Sequence, residues 1–404
     1  MDRRLFLKTL AFFGAAVIPG RCFLLPDLAM ALSDPAAAGP GKTLILLELK
    51  GGNDGLNTVI PFEDPLYYKL RPKLAIPKSE VLSLDKGLGL HPAMESLVPS
   101  WNGGDLAIAL GVGYPEPNRS HFRSIDIINT ASGSDLYIDQ GWVADLLARD
   151  QRADGSIADG LVLGQDDPGP LRGKGMRNLI ISDPRYFLKK AAGVPGSDDA
   201  SSNPSLDHIL KVQQSIHESA LLIKERLKRP AKFKTAFPKN RLGRTMEIAA
   251  KLLASNLSMD VIKVSHGSFD THSGQKAPHH RLLEEMADSV AAFRKAMVQV
   301  GLWDRVLVMT YSEFGRRVGE NGSGGTDHGT AAPHFITGGG VRGGFYGRQP
   351  SLGDLDEGDL KFTLDYRSLY STVAKDWWGI ESTFPGDEIF PQMSFLKLSP
   401  GGEV

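Results

Sequence analysis

The segment SHGSFDTHSGQKAPHH, residues 265–280, places four histidines and one aspartate within sixteen positions. Carboxylates and neutral imidazoles are the usual ligands of Zn²⁺, and mixed oxygen-rich sets suit Mn²⁺, Mg²⁺ or Ca²⁺. Asp270 and His272 are two residues apart, so on a strand they share a face. Taken alone, an Asp-x-His reads most simply as a polar turn. Four other clusters change that reading: Asn53, Asp54 and Asn57 in GGNDGLN; Asn118, Arg119, Ser120 and His121 in PNRSHF; Glu313 and Arg316 in SEFGRR; and Asp327, His328 and His334 in GGTDHGTAAPHF.

The elements that must carry these clusters repeat one pattern. TLILLELK (43–50) is an almost wholly apolar run, as expected of a strand buried on both faces, and it ends at a glycine-rich turn with an acid. Segments 105–122, 260–272 and 304–317 do the same. Helical spacing lies between them, at 120–130, 142–149, 206–227, 242–257, 282–300 and 366–378. Alternating strands and helices predict an α/β fold, a doubly wound, mainly parallel central sheet with helices on both faces. Such sheets place ligands at the carboxyl ends of their strands, so the clusters are expected on one rim. Residues 185–245 are more charged and are expected to form a helical insertion or cap.

Each candidate also has a structural explanation. Asp54 could close an Asx-turn. Ser120 opens a helix, where a serine serves as N-cap, or as a nucleophile beside amides that favour an anion. Glu313, leaving an apolar strand, needs a cation or a donor; Arg316 offers an ion pair. Asp327 and His328 sit in NGSGGTDHGT, whose glycines let the backbone bring an imidazole close to an ion. His279 and His280 read as solvated residues at a helix start, Asp126 and Asp365 as surface or capping acids, and EDPLYYKLRPKLAIP as a structural loop.

With 41% hydrophobic and 23% charged residues, the chain reads as globular. A net charge of -1 and no basic stripe exclude nucleic acid as an expected partner. The start, MDRRLFLKTLAFFGAAVIPG, joins paired Arg3 and Arg4 to a short apolar run, the pattern of a twin-arginine export signal. A retained span would need roughly 20 apolar residues, so no stable membrane span is expected in the mature form. Residues 1–38 are therefore read as signal and linker and 39–404 as a single domain. The translocase is a transient partner, and the destination is periplasmic or secreted. The only cysteine, Cys22, falls in the leader, leaving a mature chain without disulfides.

Together the leader, GGNDGLNTVIP, GVGYPEPNRSHF, FDTHSGQ, SEFGRRVGENGSGGTDHGTA and DYRSLYSTV resemble the exported bacterial family known as domain of unknown function 1501, over residues 43–380. That family is grouped with the alkaline phosphatase-like superfamily. The resemblance implies a two-metal site, with Asp54 and Glu313 on one ion and Asp270, His272 and His328 on the other, and Asp327-His328 as an alternative for the superfamily's Asp-His dipeptide. It implies Ser120 as nucleophile, with Arg119 and His121 on the ester's oxygens. The sequence departs from the superfamily pattern in the one-residue gap between Asp270 and His272 and in the single acid of SEFG, which leaves a one-metal site open. The superfamily's sulfatases carry a Cys- or Ser-x-Pro-x-Arg motif, whereas SHFRS has Phe122 at the proline position. The expected activity is metal-dependent hydrolysis of a small-molecule or envelope phosphate or sulfate ester, with one or two ions, Zn²⁺ or Mn²⁺ before Mg²⁺ or Ca²⁺. The alternative is a non-catalytic protein that binds an envelope polymer.

Overall fold

The computed structural model describes residues 41–149, 159–174, 176, 178–182, 203, 206–207, 221–229, 232–257, 259–386 and 388–397. The expected export signal lies outside the described residues, as does most of the expected helical insertion. Among the described residues no helix is long and apolar enough to cross a membrane.

Among the described residues the main sheet has nine strands, β1 (Thr43–Lys50), β2 (Leu106–Gly113), β3 (Gly160–Leu163), β4 (Asn178–Ile181), β5 (Val261–Gly267), β6 (Val306–Tyr311), β7 (Ala332–Gly338), β8 (Gly344–Gly347) and β9 (Leu364–Asp365). They lie in the order β8-β2-β7-β6-β1-β5-β3-β4, with β9 also on β2. All pairings are parallel except those of β7, which runs antiparallel to both β2 and β6.

β1 shows why its run lacks polar alternation. Ile45, Leu47 and Leu49 enter one core with residues of α3 (Arg241–Ala254) and α4 (Lys276–Gln299). Leu44 and Leu46 enter a second core with residues of α1 (His121–Thr130), α2 (Trp142–Arg149) and α5 (Tyr366–Thr372). Both faces are covered, as a mainly parallel sheet requires. Fully burying each of these leucines contributes about 1.5–3 kcal/mol.

Two helices differ from the reading above. α4 begins at Lys276 rather than Leu282, because Pro278 fits in a first turn that has no intrahelical partner for its amide. The segment 366–378 splits into α5 and a π-helical turn, Val373–Trp378.

Candidate metal centre

The carboxyl ends of β1, β5, β6 and β2 bring the predicted clusters to one rim. The chain leaves β1 through Gly51, at φ +112°, where a Cβ would lie 2.5 Å from the Asp270 amide nitrogen. That close approach sets the Asp270 loop against the β1 turn. On the other side, a Cβ at Gly325 would lie 2.3 Å from the His272 carbonyl carbon, so the glycine-rich loop can pack on the Asp270-His272 segment and present His328.

Asp270 is the centre of the arrangement. His121 Nε2 lies 3.4 Å from Oδ2, and His272 Nε2 and His328 Nε2 lie 3.1 Å and 3.2 Å from Oδ1. The ligand atoms of His121, Asp270 and His328 all fall within 4.8 Å of one another, a set that could hold a metal ion. His272 joins it through Asp270 and through His328, whose Nε2 is 3.0 Å from its own.

The opposite nitrogen of each ring is tied outward. His121 Nδ1 donates to Glu313 Oε1 at 2.9 Å, His272 Nδ1 to Asp327 Oδ1 at 3.1 Å, and His328 Nδ1 to the Arg119 carbonyl at 2.8 Å. All three partners are acceptors, so in a neutral ring they draw the proton to Nδ1 and leave the Nε2 lone pair facing inward. His121 Nε2 is buried without a hydrogen-bond partner. Phe314 packs against both the His121 and His328 rings, with centroids 4.9 Å and 4.7 Å away, and limits their rotation.

Arg316 anchors the site from below. Its fully buried guanidinium donates to Gly52 O at 2.7 Å, Thr326 O at 2.9 Å, Phe269 O at 3.2 Å, Gly51 O, and Asp270 Oδ1 at 2.6 Å. Burial pushes the Asp270 carboxyl up, but the hydrogen bond and charge of Arg316 outweigh it and hold the group down at about 2. Asp270 is thus a carboxylate at any ordinary pH. The sequence reading paired Arg316 with Glu313; the structure gives it to Asp270 and four loop carbonyls.

Glu313 is placed behind His121 rather than among the inward-facing atoms. Its Oε1 also accepts from Gly51 N at 2.8 Å, and Ser312 Oγ, which donates to the Leu49 carbonyl at 2.7 Å, lies 3.2 Å from its Oε2. Asp327 stands likewise behind His272, with Asn321 Nδ2 3.0 Å from the same oxygen.

Asp54 is not brought to this cluster. It neither closes an Asx-turn nor caps the short helical turn Gly55–Asn57, since its side chain makes no capping bond. Its Oδ2 instead meets Arg71 Nη1 at 2.6 Å and accepts from Gln275 Nε2. Burial raises the Asp54 carboxyl, and Arg71 with its charge and hydrogen bond brings it below the usual range. Arg71 was missed because it sits in the loop read as structural, and only its charge in a proline-rich segment could have pointed to it.

Ser120 precedes α1 at the N-cap position, but its side chain makes no capping bond and is exposed. Its backbone amide is turned onto Asn118 Oδ1 at 2.8 Å. It stands between Arg119, whose carbonyl meets His328, and His121. Arg119 Nη2 is engaged by Asp359, a carboxylate that Arg317 also approaches at 3.7 Å. His334 lies inside β7, and His266 bonds Leu282 O at 2.9 Å; neither reaches the cluster's hydrogen bonds. His279 is buried against Asn53 at 3.0 Å, not solvated, because the earlier start of α4 turns it inward. Asp365 caps α5, donating no bond but accepting from Arg367 N at 2.9 Å.

The family model described as "Protein of unknown function (DUF1501)" matches residues 187–389, just over half of the 404-residue chain, and the chain belongs to that family. No curated protein matches it. Among solved structures it is similar to a protein in the alkaline phosphatase superfamily from Vibrio parahaemolyticus, at 12% identity and TM-score 0.38, over 93% of this chain and 75% of that one. It is also similar to the lipoteichoic acid synthase LtaP from Listeria monocytogenes, at 10% identity and TM-score 0.35, over 77% and 70%. A third is alkaline phosphatase from the Antarctic bacterium TAB5, at 13% identity and TM-score 0.34, over 76% and 95%. None of these likenesses assigns an activity to this chain.

Proposed function

We propose that this member of the DUF1501 family is an exported metal-dependent hydrolase of phosphate esters, with sulfate esters as the lesser class. The observation that carries the reading is the convergence of the His121, His272 and His328 Nε2 atoms on Asp270, with each Nδ1 anchored outward. In a tetrahedral site with metal–nitrogen bonds of about 2.0–2.1 Å, neighbouring ligand atoms sit roughly 3.3 Å apart. The separations of 3.0–3.4 Å from Asp270 and between His272 and His328 are near that spacing. The set whose ligand atoms all lie within 4.8 Å of one another is His121, Asp270 and His328, so these three form the core of the site and His272 stands beside it. Three imidazole nitrogens and one carboxylate favour Zn²⁺ or Mn²⁺ over Mg²⁺ or Ca²⁺, which take oxygen ligands.

A bound ion would supply positive charge to polarise the ester oxygens. The remaining work falls to the chain. Glu313, Asp327 and the Arg119 carbonyl hold the three rings in their ligand tautomers. Arg316 keeps Asp270 ionised. Ser120 offers a hydroxyl not engaged in capping, at a helix N-terminus whose first amides lack intrahelical partners and face an incoming anion. It serves as nucleophile, with Arg119 at the rim as an anion contact once it leaves Asp359.

The test is turnover of p-nitrophenyl phosphate, bis(p-nitrophenyl) phosphate and p-nitrophenyl sulfate by the mature chain with Zn²⁺, Mn²⁺ or Mg²⁺ added, beside Ser120→Ala. Metal-dependent release that Ser120→Ala abolishes supports the hydrolase. Failure of every ester with every ion leaves the binding of an envelope polymer as the better reading.

A further inference from the structure

The family resemblance leads one to expect a second ion on Asp54, and the residues around Asp54 do not fit one. Both atoms aimed at its Oδ2 are donors, the Arg71 guanidinium and the Gln275 amide nitrogen. The amide is held in that orientation, because Gln275 Oε1 accepts from Thr271 Oγ1 at 3.1 Å and Thr326 Oγ1 at 2.7 Å. Arg71 is locked as well: its other contacts are Val318 O at 2.8 Å, Arg317 O at 2.9 Å and Asn57 Oδ1 at 2.9 Å. Tyr67 takes a further lone pair of that Asn57 oxygen at 2.8 Å. The Asp54 and Arg71 side chains are 1% and 0% exposed. Asp54 Oδ1 is buried without a partner, yet Asp54 belongs to no group of three histidine or acidic ligands among the described residues.

We propose that the chain takes a single divalent ion, and that Arg71 permanently fills, on Asp54, the place of a second. The inference rests on the histidine cluster being a metal site. Asp270 also meets a guanidinium, that of Arg316, but three imidazole nitrogens lie within 3.4 Å of its oxygens. Asp54 has the Arg71 and Gln275 donors on Oδ2 and stands in no such group among the described residues, so a second ion there would lie beside a buried like charge with no ligand set to offset it.

The experiment is an ion count. The mature chain is dialysed against Zn²⁺ or Mn²⁺, freed of excess ion, and analysed for metal per chain, beside Asp54→Asn and Arg71→Lys. The expected result is one ion per wild-type chain, retained by both variants with Kd within about threefold. Asp54→Asn lowers Tm by the same amount with and without chelator, since its role is to pair Arg71. The wild-type count decides without any variant having to fold. Two ions per wild-type chain would overturn the inference and leave the histidine site standing. One ion that Asp54→Asn loses would overturn it too, by making Asp54 a ligand. No ion at all would remove the histidine site and the inference with it.

Discussion

The Nε2 atoms of His272 and His328 face each other 3.0 Å apart while both Nδ1 atoms donate to acceptors. In two neutral rings this sets lone pair against lone pair, which is repulsive unless a cation lies between them or beside them. An ion within reach of both removes the conflict. Replacing either ring by alanine should therefore weaken Zn²⁺ or Mn²⁺ binding by more than the ~10–100-fold typical of losing an outer partner. Competition against a chelator of known affinity measures it. Unchanged affinity in both variants would mean the pair is held by a shared proton and not by a metal.

Glu313 makes a separate prediction because it acts through His121. Glu313→Gln keeps the shape and one acceptor oxygen but removes the charge that fixes the Nδ1 proton of His121 at 2.9 Å. Metal affinity is expected to fall about 10-fold, within the range known for such partners, with the fold retained. A direct ligand would cost far more. A loss above 1000-fold at intact Tm would put Glu313 among the ligands, as the sequence reading had it.

How much of this was legible in the sequence differs from residue to residue. The unbroken apolar run of β1 announced burial on both faces, and the glycines after it announced a turn that other loops could approach. Asp270, His272 and His328 were legible as ligand types. Their mutual distances were not, since His328 arrives on a loop whose path depends on Gly325 packing against His272. The partner of Asp54 was hidden for a similar reason: Arg71 reaches it only because the proline-rich loop folds back under the β1 turn. His279 was misread with the start of α4. Moving that start from Leu282 to Lys276 puts the histidine inside the helix, on the face toward Asn53.

Ser120 separates structure from chemistry cleanly. A serine that caps a helix contributes about 1 kcal/mol, which alanine forfeits. Ser120 makes no such bond. Ser120→Ala should therefore leave Tm within a degree or so of wild type and metal content unchanged while abolishing ester turnover. A clear drop in Tm with turnover retained would make it a capping residue after all.

Acid should destabilise the fold through histidines that are buried uncharged. His334, within β7, has no partner for Nδ1, and burial pulls it down to about 4. Between its ordinary value near 6.5 and about 4, the unfolded chain binds a proton that the folded chain does not. Unfolding free energy then falls as pH falls through that window, by about 3 kcal/mol for this one group, and levels off below it. His279, held at about 4, and His91, at about 3, both by burial first, add the same sign. His334→Leu removes one titrating group from a buried site of similar size. Urea midpoints measured in chelator from pH 7 to pH 4 should show a shallower decline in the variant than in wild type, whatever its stability at pH 7. Parallel curves would show that His334 takes up its proton in the folded chain as readily as in the unfolded one.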